Sequence, residues 1–344
     1  MKSPVPFHSR PILITSGDPA GIGPELIIKL SGRAEFSECC SVVIGRISLY
    51  RKLFEEMRCD VSLINPVMKF SEAAVGKVNI MEPPVKQGFK FGSSPGKESA
   101  KEAISYLDFA AELMVGDSSF RPVPFLLTAP VSKENISRIR KGFSGHTYYL
   151  ADFFGVRRGE VAMLFLSSSL RVVTVTQHLP LSRVSSEIKK NRIVRIAVLA
   201  CDALGGLGIS KPRIAVCALN PHSGDGGLLG REEKHEIIPA VKALKKTGMN
   251  VTGPLNSEIA VVDALKNKFD LIVAMYHDQG ILPVKLFSHG RGVNLTWGLP
   301  FIRVSPLHGP AFDIEGRGVA KDDSIVQSFK TLLEYRKNSK IKII

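Results

Sequence analysis

His178, His222 and His277 each follow closely on an apolar or β-branched run: Arg171-Val-Val-Thr-Val-Thr176, Arg213-Ile-Ala-Val-Cys-Ala-Leu219 and Leu271-Ile-Val-Ala-Met-Tyr276. Runs of this kind read as buried strands, and in open parallel sheets ligands bind just beyond the carboxyl ends of strands. Three neutral imidazoles at such ends suit a borderline divalent metal and leave coordination positions open for substrate oxygens. Taken singly, each reads rather as a hydrogen-bonded loop histidine. Together, with Asp278 directly after His277 and the glycine-rich loop Asn220–Gly230 around His222, they read as a site.

The elements that must position these residues alternate along the chain. Pro11–Thr15 reads as a strand, Gly21 to Leu30 as a turn and helix with Pro24 in its first turn, and Ser41–Gly45 as a second strand. Amphipathic or helix-spaced segments follow at Ile47–Met57, Glu98–Val115 and Glu232–Lys246, with strands at Pro124–Leu127, Val161–Phe165, Arg171–Thr176, Arg213–Leu219 and Leu271–Met275. Strand and helix in alternation imply an α/β fold with a largely parallel sheet covered on both faces. The Gly-, Pro- and Ser-rich stretch Pro83–Lys97 reads as a long loop.

The chain has 344 residues, enough for two domains, and 44% hydrophobic against 23% charged residues, enough for a substantial core. Its 46 Lys and Arg against 32 Asp and Glu give a net charge of +14. That excess fits nucleic acid, a membrane surface or capture of a phosphorylated anion. The bases are scattered, and the tightest clusters (Lys189, Lys190 and Arg192; Arg336 to Lys342) fall in a helix-like segment and the tail. No basic stripe or aromatic-stacking motif supports a nucleic-acid partner. The five cysteines are odd in number and form no C-x-x-C pair, which argues against a disulfide framework and a cysteine zinc site. Without a charged-then-apolar leader or an apolar run of membrane length, the expected location is the cytoplasm.

Two glycine loops bear on nucleotide binding. Gly17-Asp-Pro-Ala-Gly-Ile-Gly23 follows a strand and opens a helix, but Leu26 occupies the place of the third fingerprint glycine. A tight structural turn explains it as well. Gly92 to Lys97 falls short of a P-loop, so neither supports a kinase or ATPase.

Read together, the motifs Thr15-Ser-Gly-Asp-Pro-Ala-Gly-Ile-Gly-Pro-Glu25, Thr128-Ala-Pro-Val-Ser-Lys133, Ser144-Gly-His-Thr147, Leu219-Asn-Pro-His222, Gly230-Arg-Glu-Glu233, Tyr276-His-Asp-Gln-Gly280, Gly290-Arg-Gly-Val-Asn294 and Gly298-Leu-Pro-Phe-Ile-Arg303 closely resemble the 4-hydroxythreonine-4-phosphate dehydrogenase family, in order over nearly the whole chain. The resemblance implies an isocitrate/isopropylmalate dehydrogenase-like fold of two α/β/α domains around a cleft. The expected boundaries are 1–135 plus 312–344 for the first domain and 136–311 for the second. It implies a homodimer whose active site is shared between subunits. His178, His222 and His277 are the implied metal ligands, the first from one subunit and the other two from its partner. His146, Thr147, Lys285, Asn294 and Arg303 are the implied substrate contacts. Their chemistry suits the roles, since Lys285 and Arg303 are cations fit for phosphate or carboxylate. As single residues, Lys285 and Arg303 also read as solvated surface, Asn294 as a turn cap and His146 as a helix-cap neighbour.

The implied reaction is oxidation of 4-phosphooxy-L-threonine by NAD or NADP, then decarboxylation to 3-amino-2-oxopropyl phosphate, in pyridoxal 5'-phosphate biosynthesis. One divalent ion (Zn, Mg or Co) would lower the hydroxyl pKa and stabilise the enolate as carbon dioxide leaves. Asp278 is the candidate for positioning or proton transfer, with support of the His277 ring as the competing role. The resemblance leaves the cofactor-binding residues unassigned. Tyr148, Glu258-Ile259, Leu307 and Pro310 depart from the family pattern, the last two near the substrate and cofactor end. A related dehydrogenase of threonate or erythronate 4-phosphate is therefore the close alternative. A basic nucleic-acid-binding protein and an acyl-phosphate transferase of similar architecture are the readings from other classes.

Overall fold

Ile12, Leu13 and Ile14 are all fully buried although their side chains point alternately to opposite faces of a strand. Both faces of that strand are therefore covered, the condition under which continuous apolar runs are stable in parallel sheets. Burying each such side chain contributes about 1.5–3 kcal/mol. The computed structural model describes residues 10–84, 89–90, 92–116 and 124–338. Part of the Pro83–Lys97 loop and the end of the basic tail lie outside those residues.

In chain order the strands are β1 (Ile12–Thr15), β2 (Ser41–Ile44), β3 (Ile64–Pro66), β4 (Val78–Met81), β5 (Phe125–Thr128) and β6 (Ala162–Leu166). They continue as β7 (Arg171–Thr174), β8 (Ile214–Cys217), β9 (Val251–Leu255), β10 (Leu271–Ala274), β11 (Val293–Trp297) and β12 (Ile302–Pro306). The chain divides into two compact units: unit 1 is 1–154 with 299–344, and unit 2 is 155–298.

Unit 1 orders its strands β3-β4-β2-β1-β5-β12, all parallel. Helices Lys97–Gly116 and Asp323–Lys337 pack on it, and Gly23–Ser31 packs against the latter. Pro24 stands in the first turn of its helix, as its missing amide hydrogen requires. Unit 2 orders its strands β11-β6-β7-β10-β8-β9. From β7 to β9 the neighbours are parallel, but β6 runs antiparallel to both β7 and β11. The sheet is thus largely parallel, as expected, and its antiparallel strand β6 has a local cause. Ser167 to Leu170 closes β6 onto β7 as a tight turn, with Ser167 N–H donating to Leu170 O at 2.8 Å. A link that short cannot make a parallel crossover.

The unit borders differ from 135 and 311. Residues 136–154 pack within unit 1, where Arg140 and Tyr149 both hydrogen-bond Asp108 of the long helix. β12 pairs with β5, Ile302 opposite Phe125, which takes residues 299–311 into unit 1 as well. The basic cluster lies in unit 2, with Lys189 and Lys190 exposed. Lys189 pairs with Glu236, while Arg192 pairs with Glu187 and donates to Val175 O. Among the described residues no helix is long and apolar enough to cross a membrane.

Candidate active site

β7 and β10 are parallel neighbours in register, Ala274 opposite Thr174, so their carboxyl ends lie side by side. The pairing runs on through Val175 N–H to Ala274 O and Thr176 N–H to Met275 O. His178 and His277 come directly after, with ring centroids 5.4 Å apart. His277 opens the helix His277–Ser288, which lies tightly on the sheet: a side chain in place of Gly280 would put its Cβ 2.7 Å from Thr174 Cγ2. Glycine is demanded there by that close approach. His277 Nδ1 stands 2.9 Å from Asp278 Oδ1, so Nε2 is the ring nitrogen that could serve a metal, with the carboxylate orienting the ring.

His222 lies beyond β8, which pairs with β10. It begins a turn in which His222, Ser223, Gly224, Asp225 and Gly226 have φ of 49°, 55°, 79°, 41° and 64°. The three non-glycine residues cost roughly 1–2 kcal/mol each in this left-handed region. His178 is held the same way, at φ 41°. Such strain persists only where surrounding bonds over-determine it. Ser223 donates to Asn256 Oδ1, and Leu229 N–H to Gly224 O. Gln279 ties the strand ends together: its Oε1 accepts from Met275 N–H and its Nε2 donates to Ala218 O and Ser257 Oγ.

The implied ligand set is thus brought together only in part. Among the described residues no three His, Cys, Asp or Glu side chains gather as a group able to hold a metal ion. The resemblance pairs His222 with His277 in one chain; the rings shown to approach are those of His178 and His277. Two imidazoles sharing a tetrahedral ion at N–metal distances of about 2 Å have ring centres about 5 Å apart. The observed spacing therefore fits a shared divalent ion as far as two ligands go.

Two implied substrate contacts also lie in unit 2. Lys285 is exposed, about 12 Å along the same helix from His277 at 1.5 Å rise per residue. Asn294 on β11 stands opposite Phe165, whose ring meets that of His277 edge-on at 6.1 Å. Opposed residues share a sheet face. Asn294 Oδ1 is buried without a hydrogen-bond partner, a costly state that a ligand donor would relieve.

The remaining implied contacts cluster inside unit 1. Arg303 on β12 is 3% exposed; its Nε and Nη2 donate to Thr128 Oγ1 at 3.0 and 2.6 Å, and its Nη1 to Thr147 Oγ1 at 3.5 Å. His146 and Thr147 begin the helix His146–Phe153, whose N-cap is Gly145 at φ 119° and offers no side-chain cap. Lys133 packs on Gly145, its Cε 3.1 Å from where a Cβ would stand. Burial holds the Arg303 guanidinium below its ordinary range. Burial, and then the Arg303 charge, lower the Lys133 ammonium. Burial, then Arg303 and Lys133, push His146 well down, so it is neutral. Like charges crowded in a dry place favour an anionic guest. Ser144 Oγ, in the same turn, is a further buried group without a partner. Lys133 and Ser144 stand in motifs quoted from the sequence, but only their placement beside His146 marks them as pocket residues.

The glycine loop after β1 is filled by the protein itself. A Cβ on Gly17 would lie 2.4 Å from Pro130 O, and one on Gly23 2.3 Å from Ser16 O. The structural-turn reading accounts for it.

A family model described as pyridoxal phosphate biosynthetic protein PdxA matches residues 37–332. The chain belongs to the PdxA family. PdxA-family relatives span it almost end to end. The 4-hydroxythreonine-4-phosphate dehydrogenase of Sulfurihydrogenibium sp. (strain YO3AOP1) is 36% identical over 323 residues, covering 92% of this chain and 95% of that one. The D-threonate 4-phosphate dehydrogenase of Pectobacterium atrosepticum is 34% identical over 330 residues, covering 95% and 99%. Among solved structures, the 4-hydroxythreonine-4-phosphate dehydrogenase of Klebsiella pneumoniae superposes with a TM-score of 0.80 at 32% identity, covering 95% and 100%. Membership in the PdxA family places the chain among the oxidoreductases.

Proposed function

We propose that this chain oxidises 4-phosphooxy-L-threonine with NAD or NADP and releases carbon dioxide to give 3-amino-2-oxopropyl phosphate, a step of pyridoxal 5'-phosphate biosynthesis. The observation that carries the reading is the His178–His277 pair at the ends of adjacent parallel strands, 5.4 Å between ring centres. His178, His222 and His277 would hold one divalent ion, zinc, magnesium or cobalt. When bound, it supplies Lewis-acid polarisation of the substrate hydroxyl and of the carbonyl formed from it. Asp278 fixes the His277 ring through Nδ1. Arg303, His146 and Thr147 take the phosphate, Arg303 as the permanent cation and neutral His146 as a donor. Asn294 Oδ1 accepts from the substrate's amino or hydroxyl group, and Lys285 engages an anionic oxygen.

The working unit in this proposal is a homodimer with a shared active site. The helix that starts at His277 exposes Leu282 (58%) and Leu286 (62%), and the helix Ser257–Leu265 exposes Ile259 and Val262. These exposed apolar side chains support the dimer reading, since a contiguous apolar patch is what an interface would cover. The second copy would complete the histidine set that one chain leaves divided. No nucleic acid or membrane enters the reading, and the cytoplasm is the proposed location.

The second reading is D-threonate 4-phosphate as substrate, favoured by a relative 34% identical that carries that name. The two substrates differ at one position, amino against hydroxyl, the kind of group Asn294 would read. The deciding experiment presents 4-phosphooxy-L-threonine, D-threonate 4-phosphate, D-erythronate 4-phosphate and their unphosphorylated forms, and follows nicotinamide reduction. Fastest turnover on the phosphorylated amino acid, lost with chelator and restored by a divalent ion, is the expected result. Faster turnover on an acid without the amino group transfers the assignment. Activity indifferent to phosphate removes the role given to the Arg303 pocket.

A further inference from the structure

Glu233 is 2% exposed at the head of a single π-helical turn, Glu233–Ile237. Its Oε1 accepts the N–H of Leu219 at 2.9 Å and of Asn220 at 2.8 Å; its Oε2 accepts Asn220 Nδ2 at 2.9 Å. These are the residues where the chain leaves β8 and enters the left-handed turn of His222. Asn220 Nδ2 donates also to Glu232 Oε2 at 2.8 Å, and Glu232 Oε1 accepts from Ser185 Oγ on the helix Leu181–Glu187 that follows His178. Over the middle of the turn, a Cβ on Gly224 would stand 2.7 Å from Glu233 Oε2, so the carboxylate and the backbone of the turn are in direct contact. Helix-interior glutamates usually face solvent; this one is spent on backbone amides, and single π turns are frequent at functional sites.

We propose that Glu233 is a positioning residue for the metal centre. Its carboxylate holds the strained turn that presents His222, and through Asn220 and Glu232 it links that turn to the segment following His178. The inference rests on the reading of His222 as a ligand. Glu233 touches neither substrate nor ion; it sets where one imidazole stands before either arrives.

The test uses full-length protein made metal-free with chelator, titrated with zinc(II) by calorimetry and with cobalt(II) by its visible absorption, alongside far-UV circular dichroism and melting. Glu233→Gln keeps the shape but cannot accept from Asn220 Nδ2 and both amides at once. Its zinc affinity should fall 10- to 100-fold, the usual cost of removing an outer partner of a metal ligand, and its cobalt absorption should change. Asn220→Ala, which leaves the backbone bonds in place, should lose less, and the double variant should lose little beyond Glu233→Gln, because both act through one network. If Glu233→Gln fails to fold, Asn220→Ala decides alone. Wild-type zinc affinity and cobalt spectrum in folded variants would mean that Glu233 is a structural staple only, and the proposal falls. His222→Ala separates the two levels: wild-type affinity in that variant overturns the ligand reading itself, and this inference with it.

Discussion

Unit 1 and unit 2 prepare their chemistry in opposite ways. In unit 1 the groups that would take the phosphate are buried, His146 at 9% exposure, Thr147 at 5% and Arg303 at 3%, between β5, β12 and a helix start. Burial lowers the pKa of His146 and of Arg303 before any ligand arrives. In unit 2, His178 and His222 are exposed and held on positive-φ backbone, and His277 keeps about a third of its side chain open. The side chains of the first region meet within one chain, whereas among the described residues those of the second do not gather as a group able to hold a metal ion. A pocket that must hold an anion against water gains from being dry and rigid. A centre shared between subunits has to leave its ligands reachable from outside.

The largest effect expected from that contrast is all-or-none. His178→Ala and His222→Ala homodimers should each be inactive. If the two ligands reach one site from different chains, mixing and refolding the variants together restores activity at about a quarter of the sites, because half the dimers are mixed and each then has one intact set. The measurement is nicotinamide reduction before and after mixing. No recovery in a mixture shown to contain heterodimers places both ligands in one chain and breaks the contrast.

The parts legible in the sequence were those encoded locally. The strands bearing the three histidines are short apolar runs ending in turn residues, and they form β7, β8 and β10 close to the expected ends. The helix with Pro24, the alternation and the α/β class follow from the same signals. Long-range choices stayed hidden. Glu232 and Glu233 open a helix-like segment with no local sign of a partner; only the fold turns Glu233 inward onto Leu219 and Asn220. Arg303 as a single residue reads as solvated surface, yet it is buried against Thr128, far away in sequence. The unit borders are not encoded locally: β12 follows the other unit's strands in sequence but pairs with β5.

A smaller effect, graded rather than absolute, should separate binding from stability in unit 1. Arg303→Met removes a buried cation and replaces it with an apolar side chain of similar length. Loss of a charge-assisted contact to the phosphate should raise KM roughly 10- to 100-fold. Stability should hold or rise, since replacing a buried charge by a packed apolar group is often neutral or stabilising. Steady-state kinetics with a melting curve check both. A variant that melts much earlier while keeping its KM would show that Arg303 serves packing, and the dry-pocket half of the comparison would need revision.

The smallest expected effect tests burial itself. His146 is neutral in the folded chain because burial, Arg303 and Lys133 lower its pKa, whereas in the unfolded chain it protonates near the ordinary value of about 6.5. Above that pH the two states bind the same number of protons here, and the residue contributes no pH dependence. As pH falls below it, only the unfolded chain takes up the proton, so stability declines by up to about 1.4 kcal/mol per pH unit. Urea denaturation at pH 7.5, 6.5, 5.5 and 5.0 should therefore show a steeper acid-side loss for the wild type than for His146→Gln, which cannot take up that proton. Adding inorganic phosphate should shrink the difference: an anion in the pocket favours the protonated imidazole and raises the folded-state pKa toward the unfolded one. Parallel pH profiles for the two proteins would mean that His146 protonates in place at little cost, so that water reaches the pocket and unit 1 differs from unit 2 less than its packing indicates.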